Sequence, residues 1–397
     1  MTATLTRRSL LKRSALIGCS AAASPLLTSL SFAAAPWDGR LVVIILRGAM
    51  DGLDVVQPWG APEYTSLRGK LGGGPQNGAQ DLDGFFSLHK GLAPLYPLWQ
   101  RGDLGFVQAV ATPYRDKRSH FDGQDLLEAG TPSLDGARDG WLNRILQNTP
   151  GTEGRTAFAI GHGEMKLLAG KAPVADWSPD ANLAMSPQAI QLAQLVMRDD
   201  PAFRAALTEA LMLSDDGAGD DMAMQVPAVS RGKAQVKIAE FAAEQLRGDS
   251  RIASFSINGW DTHSRQGRSL KGALAGLTDA ILTLHGGLGP EIWQKTAIVA
   301  MTEFGRTVRV NGTGGTDHGT GGAMVLAGGA IRGGRVYGTW PGLDEASLYQ
   351  RRDLMPTMDV RAPAAWVMRS MTGLSRDVLE RVVFPGLDMG NDPGVMR

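Results

Sequence analysis

Carboxylate and imidazole side chains recur at the ends of the strands that the sequence predicts. The five that stand closest to a strand end are Asp51, Asp261, His263, Glu303 and His318. Carboxylate oxygens and imidazole nitrogens are common ligands of zinc, manganese and iron. Because ligands of an open α/β sheet bind beyond the carboxyl ends of its strands, the pattern predicts a divalent-metal site at that edge.

Two pairs of neighbouring residues give the main support for a metal site, and structural roles are also open to them. Asp261 and His263 lie two positions apart in a predicted turn, so both could face one ion, or Asp261 could simply accept a backbone N–H. His318 lies in a glycine-rich loop that lets the backbone approach a ligand closely. Asp317, directly before it, is either a ligand or the acceptor that orients an imidazole, and the second role is favoured.

Two acidic positions are more ambiguous. Glu303 leaves a strand directly into Phe-Gly, so it is either a metal ligand or the partner of Arg306 in a structural salt bridge. Asp51 shares its loop with Asp54, and the sequence does not show which of them points inward. We favour Asp51 because it lies nearer the strand.

Ser119 stands at the start of a predicted helix. Ser119 to Asp122 has the form of a capping box, in which a serine caps the helix and a carboxylate follows three residues later. The same position places the hydroxyl in the positive field of a helix N-terminus, where a nearby divalent ion would lower its pKa and make it a nucleophile. Arg115, Lys117 and Arg118 precede it, either to bind phosphate or sulfate oxygens or as solvated loop charges.

Strands and helices alternate along the chain and must position these residues. Apolar, β-branched runs predict strands at residues 41–46, 104–110, 156–160, 253–257, 297–301 and 323–327. Helical spacing predicts helices at residues 92–101, 119–129, 188–213, 234–246, 269–284 and 360–371. Residues 60–81 are rich in Gly, Pro and Asn, which predicts a surface loop. The alternation predicts a three-layer α/β fold with a mainly parallel sheet flanked by helices.

Composition excludes some classes of protein. The 397 residues include 40 Lys and Arg and 40 Asp and Glu, so the formal net charge is zero. This balance removes the broad basic field of a nucleic-acid-binding protein, and no nucleic-acid partner is expected. Hydrophobic residues make up 43% of the chain, enough for a buried core. Cys19 is the only cysteine, which excludes an intramolecular disulfide and a cysteine-based metal cage.

The first 35 residues predict a twin-arginine export signal. Arg7 and Arg8 open a basic stretch, a weakly apolar run follows, and three alanines at 33–35 predict cleavage after Ala35. A membrane-anchoring helix is disfavoured because the run is short and weakly apolar. Lipid attachment at Cys19 is disfavoured because only a few residues separate it from the basic stretch. The prediction is a periplasmic or extracellular protein without a transmembrane segment in its mature chain, exported by the twin-arginine translocase.

Six short motifs resemble those of the DUF1501 family, uncharacterised bacterial proteins that are usually exported by the twin-arginine route. The motifs are LVVIILRGAMDGL at 41–53, FSLH at 86–89, RSHF at 118–121, GWDTH at 259–263, TEFGR at 302–306 and DHG at 317–319. The resemblance implies one DUF1501 domain over residues 36–397. It also implies the fold of the alkaline phosphatase and sulfatase superfamily, whose members place two metals at the carboxyl ends of a parallel sheet and attack phosphate or sulfate esters with Ser, Thr or formylglycine.

The order of residues along the chain is similar to that of the superfamily and implies their roles. Ser119 would be the nucleophile, Asp261, His263 and His318 would bind the first metal, Asp51 and Glu303 would bind the second, and Arg118 and Arg306 would bind oxyanions. The chain departs from the superfamily at Phe304, where an imidazole usually follows the carboxylate, and the gap from Asp261 to His263 is shorter than usual. A ligand of the second metal is therefore missing unless His120 supplies it, so one metal, or none, stays open.

Three functional hypotheses follow. The first is an exported metal-dependent hydrolase of small phosphate or sulfate esters with Ser119 as nucleophile. The second, prompted by Phe304, is a non-catalytic binding or assembly protein of the cell envelope on a degenerate sulfatase-like scaffold. The third, a redox or cofactor-carrying export cargo, has only the export signal in its favour, since the sequence carries no Rossmann glycine fingerprint, haem motif or iron–sulfur cysteine set.

Overall fold

The structure is a computed structural model that describes residues 37–136, 138–161, 165–177 and 231–397. The predicted export signal, the predicted helix at 188–213 and His162 lie outside the described residues. None of the helices in the described ranges combines the length and the hydropathy that crossing a membrane requires.

The described strands follow the chain in the order β1 to β12. Their bounds are Arg40–Arg47, Val56–Gln57, Gln80–Asp81, Ser87–Leu88, Leu104–Ala111, Ala157–Ile160, Ala175–Trp177, Ile252–Asn258, Thr296–Met301, Gly322–Ala327, Val336–Tyr337 and Met358–Asp359. Nine of them form one sheet in the order β11-β5-β10-β9-β1-β8-β6-β7, with β12 paired to β5. The other three, β2, β4 and β3, form a small separate sheet.

The described α-helices are numbered α1 to α10. Their bounds are Gly52–Val55, Tyr64–Arg68, Tyr96–Arg101, His120–Ala129, Trp141–Gln147, Arg231–Arg247, Gln266–Ser269, Lys271–Trp293, Arg361–Thr372 and Arg376–Val378. Short 3₁₀ segments lie at Gly69–Leu71, Gly74–Asn77, Lys90–Leu95, Lys166–Leu168 and Glu345–Ser347, and a π-helical turn at Leu379–Val383. Helix α8 has a kink at Gly289, whose φ of 71° is not helical.

The predicted sheet is confirmed, with one reversed strand. Strand β1 is parallel to β8 and β9, and β6 is parallel to β7 and β8. Strand β10 is antiparallel to both of its neighbours, β5 and β9. Its first residue therefore lies at the edge where β5, β8 and β9 end. This reversal brings the loop before β10 to the same edge as the loops after the parallel strands.

The sheet is covered on both faces, which confirms the three-layer architecture. Along β1, Val42, Ile44 and Leu46 pack into one core with α6 and α8, whereas Leu41, Val43 and Ile45 pack into a second core with α5 and α9. Every residue of β1 except Arg47 is buried. A strand buried on both faces reads as a continuous apolar run, which is why the sequence predicts it well.

The prediction of a surface loop at residues 60–81 is wrong in part. Helix α2 and two 3₁₀ turns fold there, and the side chains of Tyr64 and Arg68 are both 0% exposed. The Tyr64 hydroxyl donates to the Leu53 carbonyl at 2.8 Å, which ties this segment to α1. Gly and Pro marked the turns correctly, but composition did not show that an arginine between them is buried.

Candidate metal centre

Loops from four strands meet at the carboxyl edge of the sheet. The turn after β8 carries Asp261, the loop before β10 carries His318, and α4, which follows β5, begins at His120. One oxygen of Asp261 and one nitrogen of each of these imidazoles all lie within 4.8 Å of one another. Among the described residues, this is the group whose side chains are suited to hold a metal ion.

His263 lies beside this group. Its Nε2 lies 3.0 Å from Asp261 Oδ1 and 2.9 Å from His318 Nε2. Asp261 is the common neighbour, because its Oδ2 also lies 3.5 Å from His120 Nε2 and its Oδ1 lies 3.6 Å from His318 Nε2. Three imidazole Nε2 atoms thus converge on one carboxylate, and we call His120, Asp261, His263 and His318 the candidate metal centre.

Each imidazole of the candidate metal centre has an acceptor for its other nitrogen. The pairs are His120 Nδ1 with Glu303 Oε1 at 2.8 Å, His263 Nδ1 with Asp317 Oδ1 at 3.3 Å, and His318 Nδ1 with the Arg118 carbonyl at 2.8 Å. A neutral imidazole that donates through Nδ1 presents a lone pair at Nε2. Metal-binding histidines are oriented in this way by carboxylates and carbonyls. In this tautomer, all three Nε2 lone pairs would face the shared centre.

Two of the facing nitrogens lie within hydrogen-bond distance of each other. His263 Nε2 and His318 Nε2 are 2.9 Å apart, so they share a proton in one tautomer, and they repel each other if both are unprotonated and no cation binds them. His120 Nε2 is buried and has no hydrogen-bond partner among the described residues. Three neutral nitrogens and one carboxylate oxygen are a suitable set for a four-coordinate zinc ion, and also suit manganese. The residues present therefore fit a divalent metal.

The pKa directions differ among the residues of the centre. The hydrogen bond that His120 Nδ1 donates to Glu303 raises the pKa of His120 above its ordinary value, so without a bound cation its protonated form is favoured. Burial lowers the pKa of His318, so its imidazole is neutral near pH 7. Burial alone would raise the pKa of Asp261, but the hydrogen bond from Arg306 brings it below the ordinary value.

Arg306 does not face substrate. Its side chain is fully buried, and its Nη1 donates to Asp261 Oδ1 at 2.9 Å. Its Nε donates to Thr316 Oγ1 at 3.2 Å, and its Nη2 donates to the Thr316 carbonyl. The sequence suggested that Arg306 binds an oxyanion or pairs with Glu303. In the structure it holds the Asp261 carboxylate in place.

Glu303 is brought to the centre but is bound by other groups. Its Oε1 accepts hydrogen bonds from the Gly48 N–H at 2.9 Å, the Ala49 N–H at 3.0 Å and Gln124 Nε2 at 3.2 Å, besides His120. Burial alone would raise the pKa of Glu303, but these hydrogen bonds, with His120 first, lower it. The expected second-metal ligand is thus a fully buried carboxylate that orients His120 instead.

Gly48 is essential to that arrangement. Its φ is 114° and that of Ala49 is 61°, so two successive N–H groups point at the same carboxylate. A Cβ atom on Gly48 would lie 2.5 Å from the backbone nitrogen of Asp261. The loop after β1 therefore packs directly against the turn that carries two of the candidate ligands.

Asp51, the other expected second-metal ligand, lies in a different cluster. Its carboxylate forms a buried salt bridge with Arg68 and accepts from Gln266 Nε2 at 2.6 Å. Gln266 Nε2 also donates to Asp54 Oδ2 at 2.8 Å. Burial, followed by the charge of Asp51, raises the pKa of Asp54. The structure does not bring Asp51 to the candidate metal centre. Asp54 does not face the candidate metal centre either.

The roles of Arg68 and Gln266 could not be predicted, because they depend on contacts between residues that are far apart in the sequence.

Arg68→Ala should lower the free energy of unfolding by about 3–5 kcal/mol, because it leaves the Asp51 charge buried without a partner. The measurement is urea denaturation at pH 7. The control is Arg381→Ala, whose exposed guanidinium pairs with Asp377 at 2.8 Å and should cost less than about 1 kcal/mol. Equal losses in both variants would contradict the assigned role.

Ser119 lies between two residues that touch the centre. The carbonyl of Arg118 binds His318, and the side chain of His120 belongs to the candidate metal centre. The Ser119 hydroxyl accepts from the Asp122 N–H at 3.4 Å and caps α4, as predicted. The Ser119 N–H donates to the Tyr114 hydroxyl at 2.8 Å, so the capping box is not closed by Asp122.

The basic residues before Ser119 have separate roles. Arg118 Nη2 lies 3.5 Å from Asp353 Oδ2, and a third of its side chain is exposed. Arg115 Nη1 donates to the carbonyls of Thr112 and Tyr114, which stabilises the loop. Lys117 is exposed. Arg118 is therefore the basic side chain of this segment that combines a fixed position beside the centre with access to solvent.

Comparison with known proteins gives the family. The model of the family described as "Protein of unknown function (DUF1501)" matches residues 108–374, about two thirds of the chain. The chain belongs to the DUF1501 family. The matched range contains the four residues of the candidate metal centre and Ser119, whereas Asp51 lies before it. No curated protein matches this DUF1501 chain.

Solved structures similar to the DUF1501 chain have low identity to it. The lipoteichoic acid synthase LtaP from Listeria monocytogenes is 9% identical with a TM-score of 0.32, and the match covers 70% of this chain and 59% of that one. The PsFucS1 sulfatase from Pseudoalteromonas sp. is 13% identical with a TM-score of 0.39, covering 90% and 73%. An alkaline phosphatase superfamily protein from Vibrio parahaemolyticus is 11% identical with a TM-score of 0.37, covering 89% and 72%.

Proposed function

We propose that this DUF1501 protein is an exported metal-dependent hydrolase of small phosphate or sulfate esters, with Ser119 as its nucleophile. The observation that carries the proposal is the convergence of three Nε2 atoms on Asp261, each with its Nδ1 held by an acceptor. Ser119 directly precedes one of these histidines. A cation close to a serine hydroxyl lowers the pKa of that hydroxyl and can activate it for attack without a separate base.

His120, Asp261, His263 and His318 would hold the ion, with zinc or manganese as the best fit to their donor atoms. Such an ion, when bound, acts as a Lewis acid that stabilises negative charge on ester oxygens and lowers the pKa of a nearby hydroxyl. We propose one ion. The carboxylates of Asp51 and Glu303, expected for a second, are already bound by Arg68 and by backbone N–H groups.

The chain's own residues supply attack and orientation. The Ser119 oxygen, which accepts the Asp122 N–H, would attack the phosphorus or sulfur atom of the ester while its proton passes to water. The bond to the ester oxygen breaks and the alcohol leaves with a proton from water. A water molecule then releases the phosphate or sulfate from Ser119. Helix α4 places its positive N-terminus at this oxygen, which favours both the alkoxide and an anionic substrate. The Arg118 guanidinium, a third of which is exposed, would bind the ester oxyanion. Arg306 and Glu303 keep Asp261 and His120 in position.

Turnover of aryl esters tests the activity. The full mature chain, supplied with zinc or manganese, should release 4-nitrophenol from 4-nitrophenyl phosphate or 4-nitrophenyl sulfate. Removal of the metal by a chelator should abolish release, and adding back zinc or manganese should restore it. Absence of turnover on both esters, in protein shown to contain stoichiometric metal, would count against the hydrolase.

We also propose export by the twin-arginine translocase to the periplasm or beyond. The support is the Arg7-Arg8 motif and the run that follows it. In the native host, replacing both arginines by lysine should retain the precursor in the cytoplasm, as measured by fractionation and immunoblotting. A matched Lys12→Arg variant should be exported normally. Export that continues in the double variant would contradict this route.

One observation favours the alternative, a non-catalytic binding or assembly protein of the cell envelope. Phe304 occupies the position where the superfamily usually has an imidazole. The centroid of its ring lies 5.2 Å from the ring centroids of both His120 and His318. A phenyl ring at this position can neither bind a metal ion nor transfer a proton. Metal-loaded protein that binds an anionic ester but never cleaves it would favour this alternative.

A further inference from the structure

A polar cavity lies beside Asp54, which shares the Gln266 amide with Asp51 as a hydrogen-bond donor. Its volume is about 230 Å³, and none of its lining residues belongs to the candidate metal centre. Its polar lining is Asp54, Gln57, Lys70, Asn77, His89 and Lys90. Small-molecule sites combine a concave shape with a few convergent polar groups, and this cavity has both.

Asp54 forms a fixed acceptor in the wall of this cavity. Its side chain is 2% exposed. Gln266 Nε2 donates to its Oδ2 at 2.8 Å, and Gln57 Nε2 donates to its Oδ1 at 3.3 Å. Gln266 is itself held, since its Oε1 accepts from the hydroxyls of Thr262 and Thr316 at 2.8 and 2.7 Å. The carboxyl group is therefore oriented before any ligand arrives, and each oxygen can accept a further hydrogen bond.

His89 provides a donor beside that acceptor. Its Nδ1 accepts the Gly91 N–H at 2.9 Å, so in the neutral ring the proton is on Nε2. Burial lowers the pKa of His89, which keeps the ring neutral near pH 7. Its Nε2 lies 3.9 Å from Asp54 Oδ1, too far for a hydrogen bond. A ligand hydroxyl can accept from Nε2 and donate to Asp54 at the same time.

The cavity also carries positive charge. Lys70 and Lys90 both line it and are exposed, and the described residues give neither lysine a salt-bridge partner. The volume corresponds to about eight water molecules at the roughly 30 Å³ that each occupies in the liquid, which limits the ligand to a small molecule.

We propose that this cavity is a second ligand site, which binds a small hydroxylated anion. Its hydroxyl group would bridge Asp54 and His89, and its carboxylate or phosphate would bind Lys70 and Lys90. The proposal goes beyond the hydrolase function, because it uses no residue of the candidate metal centre.

Calorimetric titration of the full mature chain tests the site. D-glycerate and glycerol 3-phosphate supply a hydroxyl with a carboxylate or with a phosphate, propionate has the charge without a hydroxyl, and glycerol has the hydroxyls without the charge. We expect one equivalent of glycerate or of glycerol 3-phosphate to bind, at least about tenfold more tightly than either control, as expected when both ends are recognised. Which of the two binds more tightly identifies the anionic group.

Two variants locate the binding. Gly267 lines the cavity, lies in α7, and a Cβ atom there would meet only Leu71 Cδ2, at 3.8 Å. Gly267→Leu should therefore fill the cavity without disturbing the backbone and should weaken binding at least about tenfold. Asp261→Asn should leave binding within about twofold, because it alters only the metal centre. If Gly267→Leu is poorly folded by circular dichroism, the Lys70→Ala/Lys90→Ala double variant replaces it.

Three results would overturn the site. They are the absence of saturable binding by both hydroxylated anions, equal binding by propionate or glycerol, and binding that is lost in Asp261→Asn but kept in the cavity variant. The last result would place the ligand at the metal centre instead. D-glycerate contains no ester bond, so its binding does not depend on whether the protein hydrolyses esters, and the second site and the hydrolase fail independently.

Discussion

Ser119→Ala is expected to lower kcat for aryl ester hydrolysis by roughly a thousandfold or more, because it removes the attacking oxygen. The variant also removes a helix cap and should lose about 1 kcal/mol of stability. Metal content should not change, since Ser119 is not among the candidate ligands. Steady-state kinetics and elemental analysis on the same sample measure both quantities.

Ser119→Asn separates the cap from the nucleophile. Asparagine caps helices about as well as serine, so stability should be retained while activity is lost. Ser375→Ala is the matched control, because the Ser375 hydroxyl caps α10 by accepting the Val378 N–H at 3.3 Å, away from the metal centre. It should remain fully active. If both Ser119 variants keep their activity, Ser119 is not the nucleophile.

His263→Gln combined with His318→Gln should abolish stable metal binding. Residues that only orient a ligand already change metal affinity by about 10–100-fold, so loss of two ligands should cost more than about a hundredfold. Asp317→Asn alters the acceptor that holds His263. It should weaken zinc binding by only about 10–100-fold. Calorimetric titration with zinc measures all three proteins.

His285→Gln is the control for that series. His285 packs edge-on against Trp293, with 4.8 Å between ring centroids, and lies outside the candidate metal centre. Its replacement should leave zinc affinity unchanged. If the double variant binds zinc as tightly as the wild type, the four residues do not form a metal site.

Much of the fold could be predicted because burial imposes strong patterns. The run Leu41 to Leu46 is apolar throughout because β1 is covered on both faces, and the same pattern located β5, β8, β9 and β10. Strand direction has no such local pattern. That β10 is antiparallel follows from pairing with β5 and β9 across the chain, yet this direction is what brings His318 to the edge of the sheet.

The candidate site was predictable as a set of residues and not as a set of contacts. The sequence pointed to Asp261, His263 and His318, because carboxylates and imidazoles after strands share an edge. It also pointed to Asp51, which lies in a different cluster, and it offered His120 only as a substitute for a missing ligand. It could not show that Glu303 would orient His120, since that depends on two N–H groups of the loop after β1. It could not show that Arg68 would bind Asp51, since a short buried helix in a glycine-rich segment has no clear sequence signal.

X-ray absorption spectroscopy of the zinc-loaded protein tests the central claim most directly. We expect one zinc per chain with about three imidazole nitrogens and one carboxylate oxygen at roughly 2.0–2.2 Å. We also expect the imidazole signal to be lost in the His263→Gln/His318→Gln protein. Zinc bound without imidazole ligands, or bound in the same way by the double variant, would contradict a metal centre built from His120, Asp261, His263 and His318.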